Sequence, residues 1–297
     1  MNLWRILIKM KYYVGLDVGG TYIKSAVVNS NGEILDDKII INESFSNCDK
    51  ETVLCNIMNI IKERISSLSN CNFSGVGIAF PGPFDYENGV SYIKGINKYE
   101  SIYGVNIKEE IVKYDKENLK NITNDFNVKF ENDAAMFALG EELLNNKKRN
   151  KVFTLCIGTG CGSAYIENDE VIKNKWIYSI PYRDGIIDDY ISCRGILKIA
   201  SECGIIGLEV KEIADKALKG EDLAKVVWNT FENNLLEVFK LATECFKPDR
   251  VIVGGQVAKS SELFLGKSID YFNENNVEVV VTKDTSKSAI IGSVMLF

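Results

Sequence analysis

Asp17-Val18-Gly19-Gly20-Thr21 stands between two runs that read as strands, Tyr12 to Leu16 and Ile23 to Asn29. A tight strand-turn-strand of this composition can hold a phosphate. Gly19 and Gly20 lack Cβ and can turn their N–H groups toward an anion, the Thr21 hydroxyl adds a donor, and Asp17 can hold a hydrated Mg2+. The competing reading is a plain β-hairpin closed by a Gly-Gly turn. A second segment repeats the device: the apolar run Val152 to Ile157, the turn Gly158-Thr159-Gly160-Cys161-Gly162, and a returning hairpin from Ser163 to Glu167 and Glu170 to Lys173. Two such clips facing one another can hold the β- and γ-phosphates of ATP across a cleft. A dinucleotide-binding glycine loop needs a helix directly after its glycines, whereas Ala164-Tyr165-Ile166 reads as extended.

These turns need a scaffold, and the hydrophobic spacing supplies one. Glu33 to Ile41 reads as a third strand, and Glu51 to Leu68 carries Val53, Leu54, Ile57, Ile60, Ile61, Ile65 and Leu68 at helical spacing. Val76 to Phe80 is a buried strand stopped by Pro81-Gly82-Pro83, and Phe84 to Val105 is loop-like. Lys116 to Phe126 fits a helix, Val128 to Glu131 a short strand, and Ala134 to Leu144 a second helix. That places Asn132 and Asp133 at a strand-to-helix junction, where α/β sheets gather their ligands. Asp133 also has the alternative role of N-cap for the following helix. The chain is mostly helical from Asp188 to Phe246, returns as a strand at Val251 to Val253 into Gly254-Gly255, and ends in an apolar helix, Ser288 to Leu296.

With 297 residues and 46% hydrophobic content the chain can fill two cores. A net charge of −6 without a long basic run argues against nucleic acid as a partner. The eight cysteines form no C-x-x-C pair, which points to reduced thiols in a cytoplasmic protein and to no zinc site. The absence of histidine removes Ser-His-Asp and Cys-His catalysis. Met1 to Met10 fits neither a signal peptide nor a membrane span and reads as a dispensable extension, with Met10 a natural start.

Five motifs in order carry a resemblance: Asp17-Val-Gly-Gly-Thr21, Gly77-Ile-Ala-Phe-Pro-Gly-Pro83, Glu131-Asn-Asp-Ala134, Gly158-Thr-Gly160 and Val253-Gly-Gly255. Together they resemble the marker set of the ROK family of sugar kinases and sugar-responsive repressors, over residues 12 to about 296. The resemblance implies an α/β, two-domain actin-like (ribonuclease H-like) ATPase fold with an interdomain cleft. The expected domains are 11–115 plus 285–297 and 116–284, with 1–10 an extension. It further implies an ATP- and Mg2+-dependent sugar kinase acting on a hexose or N-acetylhexosamine, with Asp133 the general base and Asn132 gripping neighbouring hydroxyls. Gly19, Gly20, Thr21, Gly158, Thr159 and Gly160 would meet phosphate, Gly254 and Gly255 the adenosine, and Asp17 the Mg2+ through water. Asn97 lies at a spacing similar to a family asparagine that meets sugar. The expected partners are small molecules, a sugar and a nucleotide, with no nucleic acid, no membrane and a homodimeric assembly.

The chain departs from the family pattern after its second glycine turn. The family's Gly-Glu-x-Gly-His segment corresponds to Lys175-Trp176-Ile177-Tyr178-Ser179-Ile180-Pro181, so Trp176 replaces the Glu and Ser179 the His. The cysteine-rich zinc loop is absent, and Asp188 stands for the later Glu. Aromatic faces stack on pyranose rings, so carbohydrate binding is retained in this reading while the identity of the sugar is open. The rival readings are a sugar-binding relative without turnover and a regulator, for whose helix-turn-helix the 16 residues before Asp17 leave no room.

Overall fold

The computed structural model describes residues 10–35, 38–68, 70–95, 97–145, 149–173, 176–282 and 284–297, with the side chains of 115–118 left aside. The leading extension up to residue 9 and Lys175 lie outside the described residues. The chain divides into two compact units, Met1–Asn146 with Ser286–Phe297, and Lys147–Thr285. The described residues of 116–145, expected in the second domain, fall in the first unit.

The first unit is built on β1 (Tyr12–Val18), β2 (Tyr22–Asn29), β3 (Ile40–Glu43), β4 (Phe73–Phe80), the short hairpin β5 (Phe84–Asp85) and β6 (Val90–Ser91), and β7 (Ile122–Asn132). The main sheet runs β3-β2-β1-β4-β7. β1 and β2 are antiparallel, whereas β1, β4 and β7 run parallel. All eight residues of β4 are buried, the pattern of a central parallel strand covered on both faces. The helix Lys50–Ser66 forms where the apolar spacing predicts it. Asp49 caps its first turn through Thr52 N at 3.0 Å, and Val53, Leu54, Ile57, Ile60, Ile61 and Ile65 are buried, each worth about 2 kcal/mol of transfer free energy.

Three local expectations need correction. The helix expected at Lys116 to Phe126 is instead Ile107–Asn118, followed by left-handed Asn121 and the long strand β7. Helix-forming charged residues around Lys116 suggest a helix, but hydrogen bonding to β4 takes the segment after Asn121 into the sheet, where its half-exposed edge position hides the strand signal. This pairing also holds residues 122–132 in the first unit. The third strand lies at Ile40–Glu43, with Ile34 making only an isolated bridge to Val28. The C-terminal segment forms the helix Thr285–Gly292 and then a tighter 3-10 turn, Ser293–Leu296. Phe297 stacks on Tyr13 with ring centroids 4.7 Å apart.

The second unit contains β8 (Lys151–Ile157), β9 (Cys161–Glu167), β10 (Glu170–Val171), β11 (Pro181–Tyr182), β12 (Gly185–Ile186), β13 (Arg250–Gly254) and β14 (Glu278–Val281). Its main sheet runs β10-β9-β8-β13-β14, with β8 antiparallel to β9 and β8, β13 and β14 parallel. This is the order of the first unit over again. Helices Cys193–Glu202, Val210–Leu218, Asp222–Phe246 and Gly266–Glu274 supply the core, in which Trp228 stacks on Phe264 at 5.6 Å. The two glycine turns therefore occupy the same connection, between the first two strands of each sheet. Among the described residues, no helix is long and apolar enough to cross a membrane.

Candidate functional site

In the first unit the motif residues converge because β1, β4 and β7 run parallel and end on one edge of the sheet. Asp17 is in register with Ala79, and Ala79 with Glu131. Beyond that row lie Gly19-Gly20 after β1, Pro81 after β4 and Asp133 after β7. The two outer strands are two interstrand spacings apart, about 10 Å.

The turn itself is held from one side. Gly19 N donates to Tyr22 O at 2.9 Å, the Tyr99 hydroxyl donates to Gly19 O at 2.7 Å, and the Ser44 and Ser46 hydroxyls donate to Gly20 O at 2.9 and 2.6 Å. In a trans peptide the N–H points opposite to the preceding C=O. Fixing the carbonyls of Gly19 and Gly20 therefore aims the N–H groups of Gly20 and Thr21 away from these hydroxyls. Thr21 is exposed beside them. Tyr99 is fully buried, and burial pushes its phenol far above the ordinary 10.0, which keeps it a donor.

At the end of β7 the capping role falls to Asn132 rather than Asp133. Asn132 Oδ1 accepts from Ala134 N at 3.0 Å and Ala135 N at 3.4 Å, and its Nδ2 donates to the Tyr86 hydroxyl at 3.2 Å. Asp133 is the first residue of the helix Asp133–Leu144 and accepts from Ala134 N at 2.9 Å. Its side chain is open to solvent, yet surrounding protein displaces enough water to raise its carboxyl above the ordinary aspartate value, against the pull of the N–H bonds of Ala134 and Asp133. A carboxylate that solvent reaches can exchange protons. Asn97 is exposed, left-handed at φ 55°, and donates its N–H to Glu100 Oε1 at 2.9 Å.

The second unit fixes its turn by the same logic. Gly158 N donates to Gly160 O at 2.8 Å and Cys193 N donates to Gly158 O at 2.9 Å, so the Thr159 N–H points away from Cys193. Asp188 accepts from Cys161 N with one oxygen and pairs with Arg194 through the other. Gly254 and Gly255 join this turn because β13 lies beside β8. Gly255 has φ 94°, and a Cβ there would meet Ile157 O at 2.2 Å. Trp176 is half-buried and Ser179 exposed; their segment is tied down by Ile177 N donating to Ser163 Oγ at 3.1 Å and Asp188 N to Tyr178 O at 3.0 Å.

Sequence reasoning missed Ser44, Ser46, Tyr86 and Tyr99 in the first unit and Arg194 in the second. Tyr99 lies 80 residues from the carbonyl it holds, and no spacing rule reaches that far. Arg194 follows Asp188 by six residues across a helix boundary, which only the folded turn brings together.

The chain is 23% identical to a glucokinase from Thermotoga maritima, over 94% of this chain and 95% of that one. It is 24% identical to an N-acetyl-D-glucosamine kinase from Haemophilus influenzae (85% and 86% covered) and 21% identical to a xylose repressor from Caldicellulosiruptor bescii (95% and 77%). A ROK family glucokinase from Streptomyces griseus, solved with glucose and AMPPNP, superposes with a TM-score of 0.73 at 19% identity, covering 96% of this chain and 98% of that one. The fold is accordingly the α/β, two-domain actin-like ATPase fold. The ROK family model matches residues 13–175 and 182–297, and the gap between the two matched stretches is where Trp176 and Ser179 stand. On that match, which spans both sheets and both glycine turns, the chain belongs to the ROK family.

Proposed function

We propose that this protein is an ATP-dependent sugar kinase that phosphorylates a hydroxyl of a hexose or N-acetylhexosamine. The observation that carries the reading lies in the first unit. A turn with two N–H groups aimed outward follows β1 and a solvent-accessible carboxylate follows β7 on the same sheet edge, the two strands lying about 10 Å apart with β4 between them, an arrangement that suits a terminal phosphate and an attacking hydroxyl. The relatives named glucokinase and N-acetyl-D-glucosamine kinase support the same class of reaction.

In this mechanism Asp133 takes the proton from the sugar hydroxyl as its oxygen attacks the terminal phosphorus, and ADP leaves. Asn132 has its carbonyl committed to the helix and meets the sugar through its amide side, with Asn97 a second contact. Gly20 N, Thr21 N and the Thr21 hydroxyl bind phosphate, as Thr159 N does at the turn Gly158 to Gly160, and Gly254-Gly255 gives the adenosine a surface without side chains. Asp188 fixes its turn and keeps lone pairs for a sugar hydroxyl, beside Trp176 and Ser179. Asp17 is a hard oxygen donor two residues before Gly19, which suits Mg2+ held by a single carboxylate, water and phosphate. When bound, Mg2+ neutralises charge on the transferring phosphate. A homodimer and a cytoplasmic location accompany this reading.

ADP release with MgATP against a panel of hexoses, N-acetylhexosamines and disaccharides, run beside Asp133→Asn, tests it. Turnover on one sugar that vanishes in the variant is the expected result. A sugar that raises the melting temperature without turnover favours the second reading, a sugar-binding ROK protein without catalysis, to which the xylose repressor relative and the replacements at Trp176 and Ser179 lend support.

A further inference from the structure

The phosphate-binding groups assigned to the first turn are all neutral, while a nucleoside triphosphate brings several negative charges. Lys98 stands directly on that turn. A methyl group built on Gly20 would lie 2.3 Å from Lys98 Cδ and 2.6 Å from both Cε and Nζ, so the lysine side chain occupies the space that the missing Cβ leaves open. Lys98 is exposed, and among the described residues no carboxylate or hydrogen-bond acceptor engages its ammonium. Its backbone is fixed on both sides by residues in the left-handed region, Asn97 at φ 55° and Tyr99 at φ 57°, a conformation that is uncommon outside glycine. Tyr99 anchors the segment through its hydroxyl on Gly19 O at 2.7 Å and its N–H on Ser46 O at 2.6 Å, and Asn97 through Glu100 at 2.9 Å. Backbone strain is retained where surrounding contacts over-determine it, and here it directs a cation across the turn.

We propose that Lys98 is a phosphate-binding residue whose ammonium contacts the charged phosphates of a nucleotide seated on Gly19 to Thr21. This rests on the reading of that turn as a phosphate site. Lys98 selects for the charge of the nucleotide and leaves recognition of the base and of the sugar to other residues.

Calorimetric binding of MgATP and of adenosine, with steady-state kinetics on whichever sugar is turned over, compares the wild type with Lys98→Met and Lys98→Arg. The Met variant is expected to weaken MgATP binding and raise its KM roughly tenfold or more, with adenosine affinity and sugar KM unchanged, and Arg is expected to restore most of the loss. A purely structural role for the side chain would shift adenosine and sugar affinity as well. Exposure of Lys98 lets the variants fold, which unchanged melting temperatures check. Equal MgATP affinity and KM in wild type and Lys98→Met overturn the assignment while leaving the kinase intact. A wild type that binds MgATP and phosphorylates no sugar ends the kinase reading, and the Met variant's weaker binding then still supports Lys98. A wild type that binds no MgATP overturns both.

Discussion

Asp133 and Asn132 are adjacent and both are good helix caps, which is why the sequence leaves Asp133 with two roles. The hydrogen bonds separate them: Asn132 Oδ1 takes Ala134 N and Ala135 N, while Asp133 stays accessible at the first helical position. In the role of general base proposed for it, Asp133 acts in its ionised form, and lost hydration raises its carboxyl above the ordinary 3.8. Activity is therefore expected to fall as pH drops through a value above 3.8, so the acidic limb of kcat/KM lies higher than an ordinary aspartate places it. Asp133→Asn is expected to lower kcat by about 10²–10⁴ or more while MgATP binding persists. The stability sign runs the other way. A raised folded-state pKa means that ionisation disfavours the folded form above that pKa, so the Asn variant should melt at neutral pH no lower than the wild type. A pH–rate profile with melting curves reads both, and a marked loss of stability in the variant would make Asp133 a structural residue instead.

At the scale of elements, the two glycine turns and the strands that carry them are legible because they depend on neighbours in sequence: apolar runs, then Gly and Thr. What fixes each turn is not. The segment Asn97 to Tyr99 reads as featureless loop, yet Tyr99 closes the back of the first turn from 80 residues away. Strand β7 is hidden for a related reason, since an edge strand with half-exposed residues lacks both the continuous apolar run and the clean alternation that announce strands. Tyr99→Phe tests the turn's support without disturbing shape. It removes the donor to Gly19 O inside a fully buried site, which should cost about 1–3 kcal/mol and free the peptide that aims the Gly20 N–H. Urea unfolding is expected to show that loss, and kinetics a raised MgATP KM at unchanged sugar KM. Unchanged nucleotide kinetics would mean that the hydroxyl serves stability alone.

Each unit of the whole molecule also depends on contacts that join distant parts of the chain. The first closes with the C-terminal helix, which approaches Gly140 so closely that a Cβ there would lie 1.7 Å from Ser288 O, a backbone atom with nowhere to go. Gly140→Ala is expected to destabilise by about 3 kcal/mol, visible as a lowered melting temperature. The second unit carries a buried charge. Arg250 is fully buried and donates from Nε and Nη2 to Glu278 Oε2 at 3.2 and 3.0 Å, and Arg149 Nε reaches the same oxygen at 3.0 Å. Burial pulls the Glu278 carboxyl upward, but the two guanidinium groups outweigh it and hold the group below its ordinary 4.5. A depressed carboxylate contributes stability above its unfolded-state pKa and loses it as pH falls through the folded-state value. Glu278→Gln should thus cost about 2 kcal/mol at pH 7, less than a fully buried pair because Glu278 is partly exposed. The gap between wild type and variant should hold steady above about pH 5.5 and narrow as the solution is acidified below 4.5, where the wild type also loses the charge. Urea denaturation at a series of pH values measures that gap; one that stays constant down to pH 3 would assign the loss to shape and packing rather than to the charge that Glu278 offers Arg250.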